Sequence, residues 1–367
     1  MTSPTINEHE TIRKPEKFGQ RVLRWYDMHR RDLPWRAQKG HDSDPYHVWL
    51  SEIMLQQTTV PAVIPYFYKF LERWPTIEAL AQADIDSVMK EWAGLGYYAR
   101  ARNLYKCSQV VVNSYDGVFP KDIKALRGLP GIGDYTSAAI MAIAYNQKAC
   151  VVDGNVERVM ARFHAVDTPL PQAKRDIKEY AAIYTNALSG RYGDYAQGLM
   201  DLGAAVCRPK SPLCGSCPVS SQCQAYAQGK VEACPKRLAK ASKPHKFGLA
   251  YIIEDDAGNI LMHKRPDHGL LGGLYGFPTS SWESDVSDCR IDCNVHGFIF
   301  NEDRKGVEDL PYISHVFTHF TLTLYVQRYL YANEINNIAD GCIWVSKKEL
   351  PALGLPSLFA KVQKLLL

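Results

Sequence analysis

The sequence predicts two domains of different class, an all-α domain followed by an α/β domain, and three observations carry that prediction. At 367 residues the chain is long for a single domain. Up to about Tyr226 its apolar residues recur at helical spacing, as in Val156, Val159, Met160 and Phe163 at i, i+3, i+4 and i+7. Beyond a charged connector the period changes. Phe320, Leu322, Leu324 and Val326 alternate with Thr321, Thr323, Tyr325 and Gln327, the pattern of a half-buried strand.

Taken in order, residues 1–17 are polar, carry no apolar leader stretch and read as a mobile tail. Residues 18–229 form the helical domain, its helices punctuated by short loops with Pro and Gly and with no convincing strand. Residues 230–246 are a charged, Pro-containing linker. Residues 247–367 form the α/β domain. In it Phe247–Ile253 is an apolar run, Asp255–Asn259 a turn and Ile260–His263 a second strand, together a hairpin, and Ser357–Leu367 is helical. A hydrophobic fraction of 46% suffices for two ordinary cores, and no apolar run reaches membrane-spanning length. The expected setting is soluble and cytoplasmic, beside the nucleoid in a bacterium, with no membrane partner.

The net charge of +4 hides an asymmetry. Residues 1–229 hold 27 basic and 23 acidic side chains, 230–246 six and one, and 247–367 ten and fifteen. The positive balance lies on the helical part and the linker, the sign a polyanionic partner requires. An ordinary solvated surface can look the same.

Four cysteines fall within seventeen residues, Cys207, Cys214, Cys217 and Cys223, spaced C-x6-C-x2-C-x5-C. Thiolates gathered this closely hold a metal centre in a reducing compartment. Structural zinc usually draws ligands from two separated knuckles, whereas one compact loop suits an iron–sulfur cube. Zinc and disulfides are the alternatives, the latter at odds with a chain that shows no secretory feature. Cys107, Cys150, Cys234, Cys289, Cys293 and Cys342 show no ligand spacing and read as structural.

Three other segments bear on chemistry. Leu129-Pro130-Gly131-Ile132-Gly133 lies between helical stretches at Lys121–Arg127 and Tyr135–Tyr145. Gly131 and Gly133 permit a tight turn, and the N–H groups opening the second helix suit a phosphate. An ordinary helix–helix turn is the bland alternative. Asp153, after Cys150-Val151-Val152 and before Gly154-Asn155, has the setting of a helix N-cap. Glu52 sits in Val48-Trp49-Leu50-Ser51-Glu52-Ile53-Met54-Leu55-Gln56-Gln57-Thr58. Helical spacing places Val48, Trp49, Leu55 and Gln56 beside it. A carboxyl in that company is desolvated and its pKa raised, as a general acid near neutrality requires.

The cysteine spacing resembles the cluster loop of the endonuclease III superfamily of base-excision enzymes, and Leu129–Gly133 resembles its DNA-holding helix-hairpin-helix. Asp153, eighteen residues beyond Tyr135, matches the superfamily's catalytic aspartate. L-S-E-I-M-L-Q-Q-T narrows the resemblance to the adenine DNA glycosylases, the MutY family. Leu33-Pro34-Trp35-Arg36, Gly94-Leu95-Gly96-Tyr97-Tyr98 and Tyr135, in place of the lyases' lysine, agree with that family. The second domain is similar to its Nudix-like C-terminal domain. No R-E-x-x-E-E cluster follows Gly276-Phe277-Pro278, so that domain reads as a recognition module rather than a pyrophosphatase. The resemblance covers the chain from about residue 18.

It implies a monofunctional enzyme that removes adenine mispaired with 8-oxoguanine or guanine in double-stranded DNA, most simply as a monomer. Glu52 would protonate the base and activate water, Asp153 would stabilise the oxocarbenium centre, and Tyr135 and Asn155 would orient it. Arg36 and Gln197 would contact adenine. Gln57, Thr58, Leu95, Tyr97 and Thr318 would meet the opposite 8-oxoguanine, Thr318 standing in Phe317-Thr318-His319 where the family usually has serine. Gly131, Gly133, Arg208 and Lys210 would meet phosphate. The four cysteines would hold a 4Fe–4S cluster. Core packing is the bland reading of Leu95. A bifunctional glycosylase/lyase for oxidised pyrimidines is the alternative function, with a non-catalytic iron–sulfur DNA-binding or redox-sensing protein a further class.

Overall fold

A computed structural model describes residues 14–238, 242–286, 294–295, 298–299, 307–331 and 340–366. It divides into two compact units, Met1–Gln82 with Lys106–Ala239 and Ala83–Tyr105 with Lys240–Leu367. The helices in chain order are α1 (Pro15–His29), α2 (Pro45–Leu55), α3 (Val60–Arg73), α4 (Ile77–Ala81), α5 (Ile85–Trp92), α6 (Ala99–Tyr115), α7 (Ile123–Gly128), α8 (Asp134–Ala139), α9 (Gly154–Phe163), α10 (Lys174–Asn186), α11 (Tyr192–Ala205), α12 (Gln224–Ala227) and α13 (Ser357–Gln363). Helices α5 and α13, with the start of α6, belong to the second unit.

The first unit is helical, and no β-strand occurs among its described residues. Helix α1 opens on Pro15, whose missing N–H costs nothing in a first turn. The chain is therefore helical within the expected 1–17 tail, whose residues 1–13 lie outside the described ones. The main core joins α1, α9, α10 and α11 through Phe18, Val22, Tyr26, Met160, Phe163, Ile177, Tyr184 and Leu202, and the four apolar residues at helical spacing all lie buried in α9. Two glycines of α11 set the helix spacing. A Cβ at Gly198 would stand 3.1 Å from Tyr26 Cβ, and one at Gly203 only 2.6 Å from Asn155 Cβ and 3.0 Å from the Asn155 carbonyl. The first turn of α9 thus packs on α11 with no room for a side chain. Helix α8 runs into a π-helical turn, Ile140–Ala144, the kind of irregularity common at functional sites.

The expected 230–246 linker begins inside the first unit. Cys234 is buried, its carbonyl accepts from Arg162 Nε at 2.9 Å, and Leu170 N–H donates to the Lys236 carbonyl at 2.9 Å. Charge and proline read as a linker, but its carbonyls accept from the Arg162 side chain and the Leu170 N–H, which tie this segment down. The helical stretch 18–229 is also not one unit, since residues 83–105 group with the α/β unit. Periodicity assigns a helix but not the body it packs against.

The second unit holds a mixed sheet of β1 (His245–Asp255), β2 (Asn259–Lys264), β3 (Tyr275–Gly276), β6 (Val307–Val316), β7 (Thr321–Tyr331) and β8 (Cys342–Ser346). A separate short pair, β4 (Asn294–Val295) and β5 (Phe298–Ile299), completes the strands. The order is β3-β2-β1-β7-β6, with β8 pairing β2. Strands β1 and β2 form the predicted hairpin, closed by Asp255 Oδ1, which accepts from Ala257 N and Asn259 N, and by Gly258 at φ +81°. Strand β1 runs parallel to β7, and β6 antiparallel to it. One sheet face, with Ile252, Met262, Leu322 and Leu324, packs on Leu358, Phe359 and Val362 of α13, the helix expected at 357–367.

Gly203→Ala places a methyl against Asn155 backbone that cannot swing aside. The expected result is a loss of about 1–3 kcal/mol, read as a lower thermal midpoint than that of Gly215→Ala, where open space surrounds the added group.

Candidate active site and cysteine loop

Helix α2 is capped by Asp44, whose side chain accepts from Tyr46 N at 2.8 Å, and it opens on Pro45. It is apolar on nearly every side, so it sits inside the unit and takes Glu52 with it, leaving that residue 6% exposed. Glu52 Oε2 accepts from the Tyr135 hydroxyl at 2.7 Å. Burial pushes the Glu52 carboxyl up to about 7, and the nearby Asp153 charge adds to this; the Tyr135 hydrogen bond and Arg36 oppose it. Burial, with the Glu52 and Asp153 charges, holds the Tyr135 phenol well above its ordinary range, so it keeps its proton and donates.

Asp153 is the N-cap of α9 that its setting predicts. Oδ1 accepts from Asn155 N at 2.9 Å and Val156 N at 2.8 Å, while Oδ2 accepts from Asn155 Nδ2 at 2.7 Å. The same carboxylate lines the cleft that holds Glu52 and Tyr135. Cap and cleft residue are therefore one group, aimed by a helix N-terminus. The Asn155 amide is fixed at its other end by Arg158 Nη2, 2.8 Å from Asn155 Oδ1. Arg158 also donates to the carbonyls of Gly203 and Cys207, each at 2.7 Å.

Arg36 reaches the cleft clamped by a buried carboxylate. Its Nη1 and Nη2 donate to Asp201 Oδ2 and Oδ1 at 2.7 and 2.8 Å, and Arg31 Nε adds a bond at 2.6 Å. Asp201 has no exposed side-chain surface. Burial alone would raise its carboxyl, but Arg36 and Arg31 hold it below the ordinary range. Gln197, one turn earlier on α11, is 8% exposed and donates to the Gly193 carbonyl at 3.2 Å. Gln57, exposed and left-handed at φ +59°, and Thr58 line the same cleft, as does Gly133, the N-cap of α8. Gly131 is exposed at φ +76°, as its turn requires. Lys174, paired with Glu157 at 3.1 Å, also lines the cleft.

Three expected contact residues lie in the second unit. Leu95 is buried, at 6% exposure, whereas Tyr97 is exposed and left-handed at φ +49°. Its hydroxyl lies 3.0 Å from Thr318 Oγ1, which is also exposed. Arg100 holds the glycine-rich element together, donating to the Leu95 and Gly96 carbonyls at 3.0 and 3.1 Å beneath the Tyr97 ring.

The four cysteines are free thiols around one cavity that Val159, Phe163, Leu202 and Val219 also line. Burial pushes the Cys217 thiol up to about 12, and the charges of Cys207, Cys223 and Cys214 push the same way, a measure of their proximity. Arg162 Nη1 donates to Cys207 Sγ at 3.4 Å and to the Arg208 carbonyl at 2.7 Å. No three His, Cys, Asp or Glu side chains among the described residues are arranged to hold a single metal ion. Arg208 donates to the Ser211 carbonyl, and Lys210 is exposed. Of the other thiols, Cys107 and Cys234 are buried and Cys150 and Cys342 half-buried; Cys289 and Cys293 lie outside the described residues.

Sequence reasoning missed Asp201, Arg158, Arg162, Arg100 and Met200, whose Sδ lies 3.5 Å from the Tyr135 hydroxyl. The two arginines of α9 had a usable signal. They stand four apart inside an apolar run, where a charge must have buried partners.

A family model described as HhH-GPD superfamily base excision DNA repair protein matches residues 50–182, and one described as NUDIX domain matches residues 249–365. An adenine DNA glycosylase of Buchnera aphidicola subsp. Acyrthosiphon pisum (strain APS) is 33% identical over 356 residues, covering 95% of this chain and 96% of that protein. An adenine DNA glycosylase of Arabidopsis thaliana is 36% identical over 369 residues, covering 88% of this chain but only 58% of that longer protein. A solved structure of a thermostable thymine-DNA glycosylase is 31% identical with a TM-score of 0.51, over 59% of this chain and 98% of that one.

Two substitutions test the electrostatics. The Glu52 carboxyl is raised, so its contribution to stability is complete below the ordinary carboxyl range and is lost as pH rises through about 7. Glu52→Gln removes that loss. The variant should melt close to the parent near pH 5 and gain on the order of 3 kcal/mol relative to it near pH 9. Asp201→Asn leaves the Arg36 guanidinium buried without its counter-charge and should cost about 3–5 kcal/mol in denaturant unfolding.

Proposed function

The chain belongs to the adenine DNA glycosylase family and is a DNA glycosylase of base-excision repair; we propose that it hydrolyses the N-glycosidic bond of adenine mispaired with 8-oxoguanine, or with guanine, in duplex DNA. The observation that carries this reading is the hydrogen bond from Tyr135 to Glu52, a carboxyl 6% exposed that burial pushes up to about 7. At neutral pH such a group is in part protonated, so it can donate to a ring nitrogen of the base and, once ionised, accept a proton from water. Tyr135 fixes its direction.

Asp153, aimed by two backbone N–H groups and by Asn155, faces the positive charge that develops on the sugar. Arg36 and Gln197 bound the space for the base. The flipped nucleotide costs a few kcal/mol to unstack, less at a mispair. Thr58, Gln57, Tyr97 and Thr318 contact the opposite 8-oxoguanine, while Gly131, Gly133, Arg208 and Lys210 take phosphate. Leu95, buried in its unit, contributes by packing there and through its carbonyl, which accepts from Arg100. In this reading the enzyme works as a monomer, on nucleoid DNA in the cytoplasm if the cell is bacterial. No described helix is long and apolar enough to cross a membrane.

Cys207, Cys214, Cys217 and Cys223 hold a 4Fe–4S cluster in this reading. The donor set supports it: four soft thiols around one apolar cavity, with an arginine donating to one sulfur. Held by these four thiols, a cluster would supply a crosslink through the loop that carries Arg208 and Lys210. The protein should carry iron and acid-labile sulfide in equal amounts, and Cys217→Ala should lose both and melt at a lower temperature.

The decisive assay is single-turnover cleavage of duplexes containing adenine opposite 8-oxoguanine, adenine opposite guanine, or thymine opposite guanine, with alkali to open abasic sites. Adenine release from the first two and none of thymine is expected. Release of thymine alone would reject the proposal. Glu52→Gln should lose excision while retaining binding in a gel-shift titration. Tyr135→Lys should form a borohydride-trapped adduct that the parent does not, because an amine then replaces the phenol beside the sugar.

A further inference from the structure

The turn that presents Thr318 is braced from outside itself. Strands β6 and β7 meet at Phe317–Phe320, where Phe317 N–H donates to the Phe320 carbonyl at 2.9 Å, a two-residue turn with Thr318 and His319 exposed at its tip. A turn of that length on an edge hairpin has few contacts of its own to fix its tilt. Here the Phe317 ring lies against Phe320 at 4.8 Å and stacks on Trp282 at 5.6 Å and 28°. Trp282 comes from a different segment. Glu283 beside it exchanges two backbone hydrogen bonds with Phe247 of β1, at 2.8 and 2.9 Å, and Lys246 Nζ donates to the Trp282 carbonyl at 3.0 Å.

Gly248 makes the room. A Cβ there would stand 2.5 Å from Trp282 Cδ1. The indole Nε1 is buried without a hydrogen-bond partner, so ring shape, not a polar contact, justifies a tryptophan at this place. Lys243 Nζ donates to the Phe317 carbonyl at 2.7 Å. Phe317, next to Thr318, is thus held at its ring by the Trp282 indole and at its carbonyl by the Lys243 ammonium, the first anchored to β1 through Glu283 and the second two residues before β1 begins.

We propose that Trp282, assisted by Lys243, is a specificity-determining positioning residue: it sets the placement of the Phe317–Phe320 turn and so of the Thr318 hydroxyl. The inference rests on the reading that Thr318 meets the base opposite adenine. Trp282 touches no substrate in it. Loss of the indole lets the turn tilt, and a hydroxyl displaced by about an ångström forfeits most of a hydrogen bond.

The test uses the full-length protein and the ratio of single-turnover excision rates for adenine opposite 8-oxoguanine over adenine opposite guanine. Trp282→Ala should lower that ratio about threefold to tenfold while the rate opposite guanine stays within about twofold of the parent. Trp282→Phe, which keeps a ring under Phe317, should restore most of it. Lys243→Met leaves the core intact if Trp282→Ala fails to fold, and should lower the ratio by about twofold to threefold. Its lost charge weakens both duplexes alike and cancels in the ratio. Thr318→Val separates the two layers. A ratio lowered by Thr318→Val but unchanged in Trp282→Ala, or in Lys243→Met where only that variant folds, overturns the positioning role. A ratio unchanged by Thr318→Val overturns the reading beneath it. An equal fall in both rates in Trp282→Ala would show a merely structural residue and also overturns the proposal.

Discussion

Burial of one carboxyl governs the helical unit. Glu52 could be raised to about 7 only on a helix with apolar contacts on nearly every side, which is what α2 provides. A helix buried that completely has no solvent-facing stripe to orient it, so its rotation is set by its few polar atoms. Tyr46 Oη donates to the Trp74 carbonyl at 2.8 Å, and Glu52 takes the Tyr135 hydroxyl. The bond that tunes the carboxyl also fixes the register of α2 against α8. Chemistry and packing are inseparable at this point, and most neighbouring positions have little freedom.

Around that pair the unit uses buried arginines as rivets. Arg158 spans Asn155, Gly203 and the Cys207 carbonyl, so the first turn of α9 and the start of the cysteine loop share one guanidinium. Arg162, one turn on, does the same for Cys207 Sγ and the carbonyls of Arg208 and Cys234. Arg36 and Arg31 converge on Asp201. A planar fork of donors satisfies several carbonyls at fixed angles, which a lysine cannot do. Arg158 and Arg162 hold the cleft walls from behind, through their partners, whereas Arg36 and Arg31 line the cleft themselves.

Much of this was legible in the sequence because its signals are local. The cysteine spacing, the glycine turn, the apolar company of Glu52 and the capping position of Asp153 each sit within a dozen residues, and the structure gathers Glu52, Tyr135, Asp153 and Asn155 into one cleft. What stayed hidden is long-range. Asp201 reads as a polar residue one turn after Gln197, and only the fold brings Arg36 to it from 165 positions away. The role of Gly203 depends on α9 lying against it. The connector at 230–246 looked free because charge and proline are surface signals, whereas the bonds that hold Cys234 and Lys236 come from Arg162 and Leu170.

The excursion of residues 83–105 into the second unit has a consequence for synthesis. Asp86 bonds Lys264 at 2.7 Å across 178 positions, Arg102 bonds the Gly272 carbonyl across 170, and Tyr97 meets Thr318 across 221. On a ribosome adding about 5–20 residues per second, the segment is exposed for roughly ten seconds or more before those partners exist. During that interval Trp92 and Met89, apolar and destined for burial, are carried by a half-made chain. The second unit therefore closes late: its first segment waits, apolar residues uncovered, until the chain has been made past Thr318.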